Sequence, residues 1–285
     1  MKKWIWLPFI LILAGCTFDE RVPIEMASMD QAQPLGKEKS LDSSIRFDVG
    51  YLEVTGNEKS NLLYSLDLEY DKAGYTPDVN YSPPSAGEEG RLSLKLQGMH
   101  RRGIRRESRN RLRLAFNVSV PLNLDVNAGV GEARLSLSGM KISSLKVESG
   151  VGGTKMTAYE PNSIPCESIR IKNGVGSIEA VGLGNLNFRD FEFEGGVGGA
   201  DLDFTGDWKQ NANIRIQVGV GGVNMRMPRD VGVRVEAEKH FLSGLQLEGF
   251  QQRDTYYYSE NYDKSAIKVS IRVAAGIGGL KLTWI

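Results

Sequence analysis

The sequence predicts an all-β fold, in the form of a β-solenoid built from similar strand units stacked on one another. Apolar residues fall on every second position through most of the chain, and no long stretch has the 3.6-residue period of a helix. In addition, a Gly-Val-Gly signature returns roughly every 22 residues in the middle of the chain. With 285 residues, of which 33 are glycine, the chain is long enough for one large repeat domain.

Each signature separates two runs of alternating residues. Ile169, Ile171 and, within the signature, Val175 share one parity and are expected on the inner face, and Ile178 then starts the opposite parity. One extra residue in a strand turns the following apolar side chains outward unless the backbone bends locally to accommodate it. Glycine permits such a bend because, without a Cβ, it can adopt positive φ. We therefore expect a bulge or corner between two short strands that share one core. The signatures occupy residues 129–131, 150–153, 174–176, 196–199, 219–222 and 276–279, with a shorter version at Gly50.

Two alternative interpretations of these glycines fit less well. A nucleotide-binding loop requires a following helix or a Gly-Lys-Ser/Thr sequence, and neither accompanies the signatures. Residues 195–201 resemble a calcium-binding nonapeptide repeat, but Asp201 falls one place late and no nine-residue period follows. The sequence therefore predicts no cofactor and no metal site.

The N-terminus has the order of a bacterial lipoprotein signal peptide. Lys2 and Lys3 precede an apolar run over residues 4–13, and Leu-Ala-Gly-Cys ends at Cys16. This resemblance implies removal of residues 1–15, lipidation of Cys16 and anchoring to a bacterial membrane on its extracytoplasmic side. The run is too short to span a bilayer as a helix. The alternative is an ordinary cleaved secretory signal with an incidental cysteine.

Charge and cysteine content narrow the function classes. The 35 basic residues balance the 35 acidic residues, so bulk charge gives no reason to expect nucleic acid as a partner. Cys16 and Cys166 are the only cysteines, and lipidation of the first leaves no disulfide within the mature chain. We expect Cys166 to be a small, partly buried thiol and not a nucleophile.

The remaining sequence divides by its patterning. Pro23, Pro34 and mixed charges without sustained alternation predict a tether, and strands are expected to end at breakers such as Gly182 and Pro228. The expected organisation is a signal peptide over residues 1–15, a lipidated tether over 16–40, an N-terminal β domain over 41–125, and the repeat solenoid with a C-terminal β cap over 126–285.

Two segments are candidate interaction sites. Arg101, Arg102, Arg105 and Arg106 form a basic cluster for anionic lipid or an anionic wall polymer, or else a solvated hairpin loop. A second loop, over residues 251–263, presents tyrosines that bind partners or glycans, or else simply pack against the cap. Its candidate residues are Tyr256, Tyr257 and Tyr258.

Catalytic patterns are not found. Asp190, Glu192 and Glu194 alternate with phenylalanines and therefore share the outer face of a strand, where carboxylates are usually solvated. Glycosidic chemistry requires two carboxylates at a set separation across a bond. With two histidines and none of the common hydrolase or zinc motifs, the sequence predicts no catalytic residues. The other acidic residues considered are Asp201, Asp203 and Asp207.

The repeat and two longer segments resemble a known family. The repeat Ile-x-x-Gly-Val-Gly and residues 110–139 and 214–235 are similar to the toast-rack domain family of bacterial envelope proteins. Residues 214–235 also resemble the C-terminal domain of LiaF-type cell-wall stress regulators. The resemblance covers roughly residues 41–285 and implies a β-solenoid-like fold with no assigned catalytic residues. LiaF-type proteins imply an accessory role toward a membrane histidine kinase, although this chain has a lipobox where they have membrane-spanning helices.

These observations favour a lipid-anchored, non-enzymatic cell-envelope protein that presents a β-solenoid surface to an envelope protein or a cell-wall polymer. One alternative is an accessory regulator of an envelope-stress sensor kinase. Another is a glycan-cleaving enzyme on a β-helix.

Overall fold

The computed structural model describes residues 23–58, 61–84, 89–99, 109–237 and 244–285. Within these residues, all strands belong to one open sixteen-stranded sheet, which confirms the all-β prediction. The only helical element described is a 3-10 turn at Leu183–Leu186. The strands are β1 (Met26–Pro34), β2 (Ser40–Asn57), β3 (Leu62–Asp71), β4 (Tyr75–Ser82), β5 (Glu89–Gly98), β6 (Arg111–Asn117), β7 (Leu122–Ser136), β8 (Ile142–Thr157), β9 (Cys166–Val181), β10 (Phe188–Asp203), β11 (Ala212–Met227), β12 (Gly232–Ala237), β13 (Gly244–Leu247), β14 (Phe250–Arg253), β15 (Tyr256–Ser259) and β16 (Lys268–Trp284).

Seven of these strands are long, parallel neighbours in the order β2-β7-β8-β9-β10-β11-β16. Each runs without interruption through its glycine signature, where one glycine has a φ between 134° and 151°. The expected pair of short strands is therefore one strand with a bend. We call the parts before and after the bend the first arm and the second arm.

The bends stack directly on one another. A Cβ added to Gly174 would approach the carbonyl oxygen of Gly150 to less than 3.0 Å, and one added to Gly176 would collide with the carbonyl oxygen of Gly152. Gly176 also has a φ of 141°, which residues with a Cβ rarely adopt. Stacking of identical bends thus requires glycine at both positions, which explains the repeated signature.

The core lies between the two arms. In β9, Ile169 and Ile171 of the first arm and Ile178 of the second arm are all buried in one apolar cluster. The aromatic rings of Phe191, in the first arm of β10, and Phe204, just beyond its second arm, have centroids 5.1 Å apart. The bent sheet therefore folds its inner faces toward each other, and long buried side chains fill the space between them.

At the N-terminal end, two separate strands replace one bent strand. β5 pairs with the first arm of β2, and β6 pairs with its second arm. β4 extends the sheet beyond β5, while β3 and then β1 extend it beyond β6. The 125/126 boundary of the expected domains falls inside β7, which is part of the same continuous sheet.

At the C-terminal end, the last strand in sequence is not the last in space. β16 pairs with β11 along both arms, and β12 and β13 then pair with its first and second arms. The hairpin of β14 and β15 joins the edge of β12. The last two signatures begin 57 residues apart because the chain first forms β12 to β15, on the far side of β16 from β11, and only then forms β16 itself.

Two sequence expectations require correction. Residues 26–34 of the expected tether form β1, which pairs with β3 and packs Met29 against the core, because every second residue of this segment faces inward. The valines at the bends were expected on the inner face, but Val151, Val175, Val197 and Val220 are exposed at the apex of the bend. The backbone turns at the glycines on both sides of each valine, so the valine lies at the apex and its side chain points away from the core.

Candidate functional site

The outer face of the first arms carries a row of charged side chains in lateral register. Along neighbouring strands this row places charges of both signs next to one another, with two arginines adjacent between β11 and β16. The row is Asp125, Lys146, Arg170, Glu192, Arg215, Arg272 and Glu236. The outward orientation of these polar positions on β8–β11 agrees with the sequence pattern.

Most of the row is internally neutralised. Arg170 donates to Glu192 at 2.8 Å, and this hydrogen bond raises the pKa of its guanidinium. Arg272 donates to Glu236 at 2.9 Å. Within the described part of the chain, the side chain of Arg215 has neither an ion pair nor a hydrogen bond, although it lies between these two pairs. Arg215 is therefore the cation in this row that is free to bind a ligand.

Arg215 lies in a groove of about 510 Å³ on this face. The groove spans the first arms of β9, β10, β11 and β16 and continues onto β12, which pairs with the first arm of β16. Ser168, Asn213 and Ser270 add hydroxyl and amide groups to the charged lining, and Arg234 donates to the Ser270 hydroxyl at 3.1 Å. Such a lining offers several hydrogen-bond donors and a positive centre to a polar, extended ligand.

The tyrosine segment forms the hairpin of β14 and β15, with Asp254 at a φ of 56° in its turn, and is not an irregular loop. Tyr256 and Tyr258 pair laterally with Glu236 and Arg234 and so continue the outer face of the groove. The guanidinium of Arg234 stacks over the Tyr256 ring at 5.0 Å.

Tyr257 alternates to the inner side and packs against the core. Of the three predicted tyrosines, two therefore lie beside the groove and one packs against the core.

The carboxylates considered for glycosidic chemistry on β10 are held by basic or amide partners. Asp190 accepts from Arg189 at 2.8 Å, and this contact lowers the pKa of Asp190 below its ordinary value. Glu192 and Glu194 are each 2.8 Å from a basic nitrogen of the neighbouring strand. A general acid needs a raised pKa near neutrality, so Asp190 is poorly suited to that role.

The other candidate carboxylates follow the same pattern. Asp201 accepts from Asn224 at 2.8 Å, and Asp203 is paired with Arg226 at 3.1 Å. Asp207 is paired with Lys209. Among the described residues, no group of three or more His, Cys, Asp or Glu side chains is placed to hold a metal ion.

Cys166 is fully buried, more deeply than the partly buried position expected from the sequence. Burial raises the pKa of its thiol to about 12, which leaves almost no thiolate at neutral pH. The thiol donates weakly to the Ser168 carbonyl at 3.6 Å. Its position is that of a packing residue.

Several predicted residues lie outside the described residues, namely Cys16 and the arginines at positions 101, 102, 105 and 106. Conversely, Arg234, Ser270 and Arg272 were not predicted as site residues. They reach the groove only because β16 inserts between β11 and β12, a pairing that a 22-residue period does not reveal. The signal that could identify them is the final glycine signature, which fixes the register of β16.

The family follows from a match to the model described as the N-terminal domain of toast_rack, DUF2154, over residues 21–181 and 161–226. This chain belongs to the toast-rack family. The family resemblance stated from the sequence is therefore confirmed, and the matched toast-rack region includes β1 through most of β11.

Comparison with solved structures gives weaker likenesses. A candidate cell adhesion protein from Clostridium sporogenes ATCC 15579 is 20% identical with a TM-score of 0.48, and covers 92% of this toast-rack chain and 100% of its own. A candidate adhesin from Bacteroides fragilis NCTC 9343 is 14% identical with a TM-score of 0.43, covering 91% and 97% respectively. A search of curated proteins gave no match. In the part of the toast-rack chain that the structure describes, no helix has the length and apolar character of a membrane span.

Proposed function

We propose that this toast-rack protein is a lipid-anchored, non-enzymatic component of the bacterial cell envelope that binds an anionic wall polymer or an acidic segment of an envelope protein. The Arg215 guanidinium in the outer groove, which pairs with no other residue that the structure describes, carries this proposal. In this account, the roughly 22-residue unit builds the binding face and the C-terminal cap closes its end.

The composition of the groove supports an anionic, extended ligand. Arg215 and Arg272 stand side by side, and only Arg272 has a carboxylate partner. A planar guanidinium binds carboxylate or phosphate through two parallel hydrogen bonds. A second row runs beside it across five strands, so a polymer lying along the stack meets a polar group at each strand. This row is Ser168, Asp190, Asn213, Ser270 and Arg234.

The aromatic hairpin supports the same proposal. Tyr256 and Tyr258 extend the groove beyond β12, and their ring centroids are 6.2 Å apart. Tyrosine combines an apolar ring with a polar tip, a combination used for contacts with both sugars and peptides. The carboxylates that line the groove favour binding over hydrolysis, because Asp190, Glu192 and Glu236 are each held by an arginine.

The anchor is supported by the sequence. Cys16 closes a lipobox and lies ten residues before the start of β1 at Met26. Attachment of several acyl chains to one residue gives far firmer membrane binding than a single chain. A binding domain placed directly after such a residue is suited to hold its ligand near the membrane.

Binding is tested with purified cell-wall sacculi that retain their anionic polymers. We expect Arg215→Ala to weaken co-sedimentation about ten-fold or more, because a hydrogen bond to a charged group contributes about 1.5–3 kcal/mol. Arg91→Ala, which removes an exposed arginine far from the groove, is the matched control and should bind as the unaltered chain. Equal binding by both variants would contradict the proposal.

The anchor has its own experiment. Membrane fractionation of cells that produce Cys16→Ser should move the protein from the membrane to the soluble extracytoplasmic fraction. Retention in the membrane of a Cys16→Ser chain from which residues 1–15 have been removed, as checked by mass spectrometry, would refute lipidation at Cys16 without bearing on the groove.

A further inference from the structure

The exposed apolar side chains of the molecule gather on one edge. Of the eleven large hydrophobic residues that are exposed among the described residues, five lie at the apex of a bend, and three more lie next to residues that are hydrogen-bonded toward the bend of β2. We call this edge of the sheet the bend edge. The eight residues are Ile24, Met26, Met99, Val151, Val175, Val197, Val220 and Ile277.

Five of these residues form a continuous ridge. Val151, Val175, Val197, Val220 and Ile277 occupy the same register position on five neighbouring strands, and each side chain is between 45% and 70% exposed. With strands about 4.8 Å apart, the ridge is about 19 Å long. Glycines on both sides of each apex carry no side chain, so the apolar side chains protrude beyond the backbone around them.

The N-terminal strand begins at this same edge. Met26 pairs with Asp71, whose backbone N–H donates to the Asn110 side chain at 2.9 Å. Asn110 in turn donates to the carbonyl of Val49, next to the bend of β2, at 3.0 Å. This buried chain of hydrogen bonds fixes the entry of β1 at the bend edge and not at the open side of the core.

The length of chain before β1 limits where a lipid anchor can be. Ten residues separate Cys16 from Met26, and even fully extended they span at most about 35 Å. A lipid on Cys16 thus holds the bend edge close to the bilayer surface. The opposite edge of the sheet, where the first arms begin and the second arms end, lies further from the bilayer by the length of one arm.

We propose that the bend edge rests on the bilayer, with the Val/Ile ridge inserted at the level of the lipid headgroups. This inference depends on the lipid anchor proposed above and adds the orientation of the domain. The arginine-rich segment at 100–108 lies outside the described residues and is not part of the proposed surface.

The bilayer fits this ridge better than a second copy of the chain does. The ridge is one side chain wide and convex, whereas a stable dimer commonly buries about 800 Å² on each partner. The carboxylates near the ridge do not oppose a lipid surface strongly. Glu148 and Glu194 are each paired with a lysine at 3.1 Å and 2.8 Å, and Glu132 is paired with Arg134 at 3.9 Å.

The orientation has a consequence for the groove. Arg215 precedes Val220 by five residues on β11, which places it about 16 Å from the ridge along the strand. The groove would therefore stand clear of the lipid headgroups while remaining near the membrane, where a wall polymer or a membrane-protein domain can reach it.

The test uses the lipidated full-length mature protein reconstituted in phosphatidylcholine vesicles that contain a headgroup nitroxide lipid. Single cysteines introduced by Val197→Cys and Tyr159→Cys are labelled with an environment-sensitive fluorophore. Tyr159 is the matched control because it is 69% exposed and apolar but follows the end of β8, away from the bend edge. Cys166 does not interfere, since it is buried with a raised pKa.

We expect the nitroxide to remove about half of the emission at position 197 and little at position 159, because an interfacial apolar face lies about 5–10 Å into the headgroup region. Val175→Asp combined with Val220→Asp should reduce quenching at position 197 to the control level while the protein still floats with the vesicles. Equal quenching at both positions, or energy transfer between labelled copies without nitroxide quenching, would overturn the orientation. Protein that does not float with the vesicles would overturn the anchor as well.

Discussion

Replacement of the second glycine of a bend tests the packing argument most severely. In Gly198→Ala the new methyl group would collide with the carbonyl oxygen of Gly176, an atom of the neighbouring backbone that cannot rotate away. The residue also has a φ of 140°, a region in which a non-glycine residue costs about 1–3 kcal/mol. Relief of the collision requires the strands to separate locally, so the total cost should be about 3 kcal/mol or more, as for other severe backbone-strain substitutions.

The adjacent glycine provides the control. Gly199 follows Gly198 by one residue, has no left-handed φ, and its added Cβ would meet only the Gly222 carbonyl oxygen at 3.9 Å, an ordinary contact. Gly199→Ala should therefore change stability by no more than about 0.5 kcal/mol, or stabilise slightly by restricting the unfolded chain.

Thermal unfolding followed by far-ultraviolet circular dichroism measures the difference. At about 2–4 °C per kcal/mol for a chain of this size, Gly198→Ala should unfold about 6–12 °C below Gly199→Ala. Similar midpoints for the two variants would refute the conclusion that the bends stack through glycine backbones.

Three further predictions concern the core and the titratable groups. Ile271→Ala removes buried apolar atoms from the interior strand β16 and should lower the free energy of unfolding in urea by about 2–5 kcal/mol. Ile285→Ala, at the exposed C-terminus, is the control and should change it by less than about 0.5 kcal/mol. Equal effects would contradict the internal position of β16. Lys146 lowers the pKa of Glu148 below its ordinary value of 4.5, so this carboxylate stabilises the fold above that pH, and the stabilisation is lost as the pH falls through the lowered folded-state pKa. In Glu148→Gln, the urea-unfolding midpoint should therefore fall less between neutral pH and about pH 3 than it does in the unaltered protein. The same pH dependence in both proteins would count against the Lys146–Glu148 pair. Cys166, whose pKa burial raises to about 12, should resist alkylation in native protein and react only when denaturant is added, as followed by mass spectrometry; rapid native labelling would show that the thiol is accessible.

Much of the fold is encoded locally and was accessible from the sequence. The parity change across each glycine signature identifies the bend, and the breakers Gly182 and Pro228 directly follow β9 and β11, as expected. Cross-strand pairs such as Lys155 with Glu179, at 2.8 Å, also recur at the repeat spacing, because residues in register on neighbouring strands lie one repeat apart.

The features that the sequence did not reveal depend on long-range pairing or on local geometry within the bend. The alternating pattern does not show whether the backbone turns before the valine or on both sides of it. The pattern therefore predicts the inner face for Val175, which is wrong because its side chain is exposed at the apex. β1 was missed because its inward positions are Ala27, Met29, Gln31 and Gln33, only two of them apolar, and Gln31 donates its amide to the Tyr64 hydroxyl at 3.0 Å. The strand is held by pairing with β3 and by such polar contacts, and a hydrophobic pattern does not report either.

The candidate site was only partly accessible for the same reason. Outward charges on β9–β11 follow from alternation, whereas the adjacency of Arg215 and Arg272 depends on β16 returning to pair with β11 over 57 residues. Likewise, the tyrosine segment was recognised by composition, but its division into outer Tyr256 and inner Tyr257 required the register of β12 and β15.

Photo-crosslinking in cells tests the central claim, that the outer groove binds an envelope ligand, most directly. Asn213, which lines the groove two residues before Arg215 on β11, is replaced by p-benzoylphenylalanine so that Arg215 itself is kept. Lys281, an exposed residue on the outer face of a second arm, is replaced in the same way as the control. We predict that mass spectrometry recovers a wall fragment or one envelope protein from position 213 and not from position 281; a sensor kinase recovered there would identify the accessory-regulator role as the form this binding takes. Identical crosslinks from both positions, or none from position 213, would contradict the assignment of the groove as the binding site.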